Sequence, residues 1–125
     1  MSTAHGYKVN HKLKSHPAPF AAVWSGEKMH EIRFNDRRFK VGHTVRLLEW
    51  HPEKKIFRGR AVDIIITYIR YAPDNTPDPF GLLPGFCVFD FLILNHFRKE
   101  EFPEESAGET FITPPPFTTM QNPEA

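Results

Sequence analysis

Cysteine is nearly missing from this chain: Cys87 is the single one among 125 residues. That excludes a disulfide framework within the chain and a zinc site built on cysteine. Long hydrophobic runs are also missing. The most apolar stretch, around residues 86–94, carries Asp90 and falls short of the ~18–20 residues a membrane helix needs. Residues 1–14 lack the apolar segment of a secretory signal. Neither a Gly-rich phosphate loop nor an H-E-x-x-H motif occurs. The seven histidines, His5, His11, His16, His30, His43, His51 and His96, include no pair four residues apart, so they read as incidental rather than as metal ligands. A cytoplasmic protein with no membrane partner, no metal and no cofactor is the expectation.

What remains is an ordinary globular composition, 40% hydrophobic and 25% charged, sufficient for one domain and too short for two. The net charge of +1 conceals an asymmetry. Residues 1–60 hold 13 Lys and Arg against 5 Asp and Glu, a balance of +8, whereas residues 61–125 hold 3 against 10, a balance of −7. A basic surface for an anionic partner and a separate acidic segment would produce this division, as would two merely solvated surfaces.

The acidic segment is the last quarter. From Asn95 onward there are five prolines, six glutamates and no apolar periodicity, which predicts a disordered acidic, Pro-rich tail over 96–125. Phe111, Ile112 and Phe117 flank its Pro114–Pro116 run and offer docking points for a protein partner. Residues 1–6 are expected to fray, leaving a compact domain over 7–95. Within it Tyr7 to Leu13, Met29 to Phe34, Val45 to Trp50, Phe57 to Arg70 and Phe86 to Leu94 read as strands, the fourth bent near Gly59. Pro17 to Ser25 reads as a short helix, with proline in its first turn and Gly26 as the C-terminal cap. Tyr71 to Gly85, rich in proline and glycine, is a long loop. The fold class is therefore mainly β with one or two short helices (α+β), closed into a small β-barrel because closure removes exposed edges.

The densest polar cluster runs from Gly26 to Phe39, GEKMHEIRFNDRRF. On the strand, Ile32 and Phe34 share one parity, assigned to the core, and Glu31 and Arg33 share the other. Lys28 precedes them, and Asn35, Arg37 and Arg38 follow. One carboxylate among several cations is the wrong composition for a divalent-metal cage and suits an anion or a base edge. A surface strand with a cross-strand ion pair is the plainer reading of the same residues. Arg58 and Arg60 around Gly59 would extend a basic track, and Phe57, Tyr68 and Tyr71 would offer bases a stacking platform. Trp24 and Trp50 are assigned to the core, as is Cys87.

Several blocks occur in a recognisable order: H-K-L-K (His11 to Lys14), P-x-x-F-x-A-V-x-x-G-x-K (Pro17 to Lys28), E-I-R-x-N-D-R-x-F-x-V-G (Glu31 to Gly42), V-x-L-x-E-W (Val45 to Trp50) and G-L-x-P-G-F (Gly81 to Phe86). Over about residues 8–92 the chain resembles a family of small phage and bacterial proteins of unassigned function in the ASCH branch of the PUA-like superfamily. The resemblance implies a PUA-like barrel of ASCH type with a cleft beside the first helix, where members of the superfamily bind RNA or modified nucleobases. One ASCH branch consists of amidohydrolases that deacetylate N4-acetylcytidine with a lysine, a threonine three residues later and a downstream glutamate. Lys28 matches that lysine, Glu31 stands at the threonine position, and Arg33 matches an arginine of the same strand. The downstream region offers only Asp74 and Asp78, and His43 stands where the family has an aspartate.

Three functions follow as expectations. The first is an RNA-favoured nucleic-acid-binding module whose cleft uses Lys14, Lys28, Glu31, Arg33, Asn35 and Arg37, extended by Arg58 and Arg60. The second is a hydrolase of a modified nucleoside or of RNA, with Glu31 as base and Lys28 beside it as the catalytic pair. The third is a phage factor that binds a host protein through the C-terminal tail, acting in the host cytoplasm.

Overall fold

A computed structural model of the chain describes residues 6–98. It contains β1 (His11–Ser15), α1 (Pro17–Trp24), β2 (His30–Phe34), β3 (Thr44–His51), β4 (Ile56–Tyr71) and β5 (Phe86–Arg98). The strands form one sheet in the order β1-β3-β4-β5-β2, curled into a half-barrel. β1 lies parallel to β3, and the other neighbours are antiparallel. The mainly β architecture with one short helix agrees with the sequence pattern. The first strand is displaced, however, beginning at His11 rather than Tyr7.

The helix forms where its caps require it. Pro17 occupies the first turn, where a missing N–H costs nothing. Gly26, at φ 87°, supplies the left-handed turn that ends the helix, donating to the Val23 carbonyl at 3.0 Å. The Lys28 N–H then returns to the Ala22 carbonyl at 3.0 Å, which ties the start of the polar segment to the helix. Phe20 and Val23 are buried against the concave face of the sheet, beside Val45, Leu47, Val62, Ile64, Ile66, Cys87, Phe89 and Phe91. Burial pushes the Cys87 thiol up to about 12, as suits a core hydrophobe.

The convex face is not plain surface. Leu48, Ala61 and Phe97 form a second core there, with Phe57 packed on it. Beside it lies a buried ion pair, in which Arg46 donates twice to Asp63 at 2.7 and 2.8 Å. The Tyr7 hydroxyl donates to Asp63 at 2.6 Å and accepts from Asn95 at 2.7 Å. So Tyr7 covers the pair instead of opening a strand, and burial with Asp63 raises its hydroxyl to about 12. Phe97 explains a second correction. β5 continues through His96, Phe97 and Arg98, residues that composition assigns to the acidic tail, because Phe97 is buried and His96 stacks edge-on against Trp24 at 4.8 Å. The remainder of that tail, with Phe111, Ile112 and Phe117, and the fraying expected over residues 1–5, lie outside the described residues.

The parity assigned to β2 is reversed. Glu31 and Arg33 point into the half-barrel, each 1% exposed, while Ile32 and Phe34 are only partly buried. The reason lies at the seam. β1 and β2 are the two sheet edges, and they are joined by side chains instead of a ladder. Arg33 Nη2 donates to the Lys14 carbonyl and Arg37 Nη1 to the Lys12 carbonyl, both at 3.1 Å. An apolar residue at position 33 would leave an edge carbonyl without a donor in a dry environment.

Two outcomes test this account of the fold. Asp63→Ala should destabilise by roughly 3–5 kcal/mol, because it strands the buried Arg46, whereas Arg46→Met with Asp63→Leu should cost far less in a denaturant titration. The second concerns His11, whose Nε2 lies 2.9 Å from His43 Nδ1. Burial, then His43 and Arg37, depress its pKa from 6.5 to about 4. The folded chain thus binds fewer protons than the unfolded chain between those values. Stability should be full above about pH 6.5 and fall toward pH 4, by on the order of 1–2 kcal/mol for a half-buried ring. His11→Gln should flatten that slope, and an unchanged slope in the variant would remove His11 from the account.

Candidate nucleic-acid interface

The polar interior is centred on three residues. Glu31 Oε1 accepts from Arg33 Nε and Glu31 Oε2 from Lys28 Nζ, each at 3.0 Å. Burial alone would raise the Glu31 carboxyl, but Arg33 and Lys28 outweigh it and hold the group below the ordinary carboxylate range. Lys28 is the member that reaches solvent, with 15% of its side chain exposed. The backbone bond from Lys28 to α1 places it at the junction of helix and sheet.

A second ionic group borders the first, and it arises from a bulge. Leu48 pairs with Ala61 and Trp50 with Phe57, so Glu49 alone faces Arg58, Gly59 and Arg60. Gly59 takes φ 103° there, which produces the bend expected at this position. Arg60 donates to both Glu49 oxygens at 3.0 and 3.2 Å, and Arg58 Nε lies 4.0 Å away. The guanidinium of Arg60 also stands 4.7 Å over the Trp24 ring, and that of Arg98 stands 5.1 Å from the same ring. Ser15 is the register partner of Glu49, which places β1 between the two groups.

Of the cleft residues expected from sequence, Lys28, Glu31 and Arg33 are brought together, and Arg58 and Arg60 converge on Glu49. The others are placed elsewhere. Lys14 gives the cluster its carbonyl, but its ammonium turns to the convex side, 3.8 Å over Trp50. Burial there lowers its pKa. Asn35 Oδ1 caps the following turn, accepting the Phe39 N–H at 2.9 Å. Arg37 braces the seam and lies 3.9 Å from Asp36. Of the proposed stacking platform, Phe57 packs edge-on against Trp50 at 4.6 Å, and Tyr71 donates to the Phe39 carbonyl while its ring stays half exposed. Tyr68 is exposed. Trp24 is only partly buried at the core's edge, and Trp50 belongs to the convex face.

Among the described residues, no group of three or more His, Cys, Asp or Glu is arranged to hold a metal, and no helix is long and apolar enough to cross a membrane. An open groove of about 450 Å³ lies at the other end of β2, between Phe34, Tyr71 and Phe86, and does not include the ion cluster.

A family model described as a domain of unknown function, DUF3850, matches residues 10–91. The chain belongs to the DUF3850 family. No curated protein matches the chain. The matched span takes in all five strands of the DUF3850 domain in whole or part, α1, and every residue of both ion groups except Arg98.

Sequence inspection passes over Glu49, Ser15 and Arg98. Glu49 had a signal: the lone carboxylate of the strand V-R-L-L-E-W, two residues beyond Leu47 on the same face. The two cations of the cluster differ in what they support. Arg33→Ala should destabilise the DUF3850 domain by roughly 3–5 kcal/mol, since it strands Glu31 and opens the seam. Lys28→Ala should cost about 1 kcal/mol or less, being partly solvated. Equal costs in thermal melts would show that the two share one structural role.

Proposed function

We propose that the DUF3850 domain is a nucleic-acid-binding module that favours single-stranded RNA, holding it along α1 between the Lys28 cluster and Trp24. The observation that carries this reading is the combination of aromatic and cationic groups at one edge of the half-barrel. Trp24 lies within 5.1 Å or less of two guanidinium groups, and Lys28 and Arg33 are gathered on Glu31 nearby. Single strands are held in this way, by bases stacked on aromatic and guanidinium faces and by cations along the phosphates. Resemblance to PUA-like domains of the ASCH type, with their cleft beside the first helix, supports the same location and favours RNA over DNA.

Hydrolysis of a modified nucleoside, as in N4-acetylcytidine amidohydrolases, fits these residues less well. Both oxygens of Glu31 are engaged by cations, and its lowered pKa makes it a weak base. The thiol of Cys87 is inert, and the Ser15 hydroxyl has no base beside it to activate it. A host protein held by the tail, as a phage product would use, involves residues outside the described ones.

Fluorescence anisotropy of a labelled single-stranded RNA at two salt concentrations tests the binding reading. Affinity should fall with salt, and Lys28→Ala and Arg58→Ala should each weaken binding and reduce the salt slope by about one unit per lost phosphate contact. Salt-independent binding, or two variants indistinguishable from the parent, would overturn it.

A further inference from the structure

We infer that the aromatic groove at the Phe34 end of β2 is a docking site for this chain's own segment 111–117, which centres on Pro114, Pro115 and Pro116. The inference does not rest on the RNA-binding reading, whose site is at the opposite end of β2.

Three strand ends meet at the groove. The Asn35 N–H, just after β2, donates to the Gly85 carbonyl at 2.8 Å, and the Ala72 N–H, just after β4, donates to the Phe86 carbonyl at 2.9 Å. These bonds fix the walls. The rings of Phe34 and Phe86 stand edge-on at 5.5 Å, and Phe34 lies against Gly85, where a Cβ would come within 2.7 Å of its ring. Tyr71 is anchored by its hydroxyl, which donates to the Phe39 carbonyl at 2.7 Å, while the residue stays 47% exposed. About 450 Å³ is open between the rings. A space of that size admits a short run of side chains, and walls set in advance reduce the ordering cost of filling it.

Chemistry selects the occupant. Aromatic-lined grooves take proline-rich segments, whose extended backbone is ordered before it binds. Among the described residues neither lysine nor arginine lines this groove, and Asp74 does. A phosphate backbone finds no counter-charge there, and an acidic peptide would be repelled. The chain carries a segment that meets both conditions. Residues 110–123 contain no Asp, Glu, Lys or Arg, although residues 100–109 hold five glutamates. The three prolines sit inside that neutral block, with Phe111 and Ile112 before them and Phe117 after.

The chain is also long enough. β5 leads away from the groove at Phe86 and ends at Arg98, 12 residues on, a separation of at most ~40 Å at ~3.3 Å per residue. Pro114 follows Arg98 by 16 residues, which span up to ~50 Å. The connection therefore reaches back to the groove with a few residues to spare. Docking within one molecule sets the local concentration of the segment near the millimolar range, so a weak contact suffices.

The test uses the full chain with two cysteines introduced, Asp74→Cys at the groove and Thr118→Cys just beyond the segment, beside the buried Cys87. Under a mild oxidant the disulfide within one chain should form about tenfold faster or more than in a control that pairs Thr118→Cys with Lys54→Cys. Lys54 lies in the turn between β3 and β4, at the far end of β4 from the groove. Adding Phe111→Ala and Phe117→Ala should bring the rate down to that of the control, as should Tyr71→Ala. Because Tyr71→Ala also removes the bond to Phe39, the variant in the segment is the deciding one. A synthetic peptide of residues 108–121, added in excess, should slow the disulfide as well. Equal rates from positions 74 and 54, or a rate unchanged by Phe111→Ala with Phe117→Ala, would overturn the docking. A disulfide-linked dimer in place of the closed monomer would overturn docking within one chain and assign the groove to the segment of a second copy.

Discussion

The hydrogen bonds from Arg33 and Arg37 to the carbonyls of Lys14 and Lys12 hold the two edges of the sheet together. Five strands in this order leave β1 and β2 facing one another without a ladder. β1 has only five residues, and its outward carbonyls need donors that reach across a gap. Guanidinium groups are suited to this because they are long, planar and carry five N–H donors each. The choice imposes a second requirement, since a guanidinium buried at position 33 needs a counter-charge. Glu31, on the same face of β2, supplies it, and Lys28 then shares that carboxylate. The polar interior thus follows from closing a sheet that is one strand short of closing itself.

This origin explains why the candidate site and the fold share residues. Arg33 and Glu31 cannot be altered without disturbing the seam, whereas Lys28, Arg58 and Arg98 stand at its rim, where the proposed recognition would place little burden on the fold. The two buried ion groups differ in the same way. Arg46 and Asp63 balance one another under Tyr7 and Phe97, so that group ends in structure. The Arg33 group reaches solvent through Lys28, whose backbone N–H is bonded to α1. Burial of charge alone does not mark function.

Much of the architecture was legible in the residues, because alternation, proline and glycine act locally. Pro17 and Gly26 bracket the helix, Gly59 marks the bend, and the β-branched run after it forms β4. The failures were all of one kind, in which a distant partner overrides a local pattern. Ile32 and Phe34 look like the core face of β2 until the carbonyls of β1 are placed opposite, and then Arg33 has to turn inward. His96 to Arg98 look like the start of a polar tail until Leu48, Ala61 and Trp24 come against them. Glu49 is inconspicuous until the bulge sets it against two arginines. In the site, the motif Lys28, Glu31 and Arg33 was legible as a group, but its burial was not.

Charge asymmetry along the chain has a spatial counterpart only after pairing is taken into account. Two acidic residues of the second half are engaged among the described residues: Asp63 holds Arg46 from the basic half, and Asp78 holds Arg70 and the Leu82 N–H of the long loop. Glu49 and Arg60 cancel within the basic half. Lys28 and Arg33 share Glu31 where α1 meets β2, with Arg58 beside Glu49 and Arg98 beside Trp24. A uniform basic surface would attract any polyanion. In the nucleic-acid-binding reading proposed above, cations gathered at one corner beside the partly covered Trp24 would hold a small part of a polyanion, one base and one phosphate at a time.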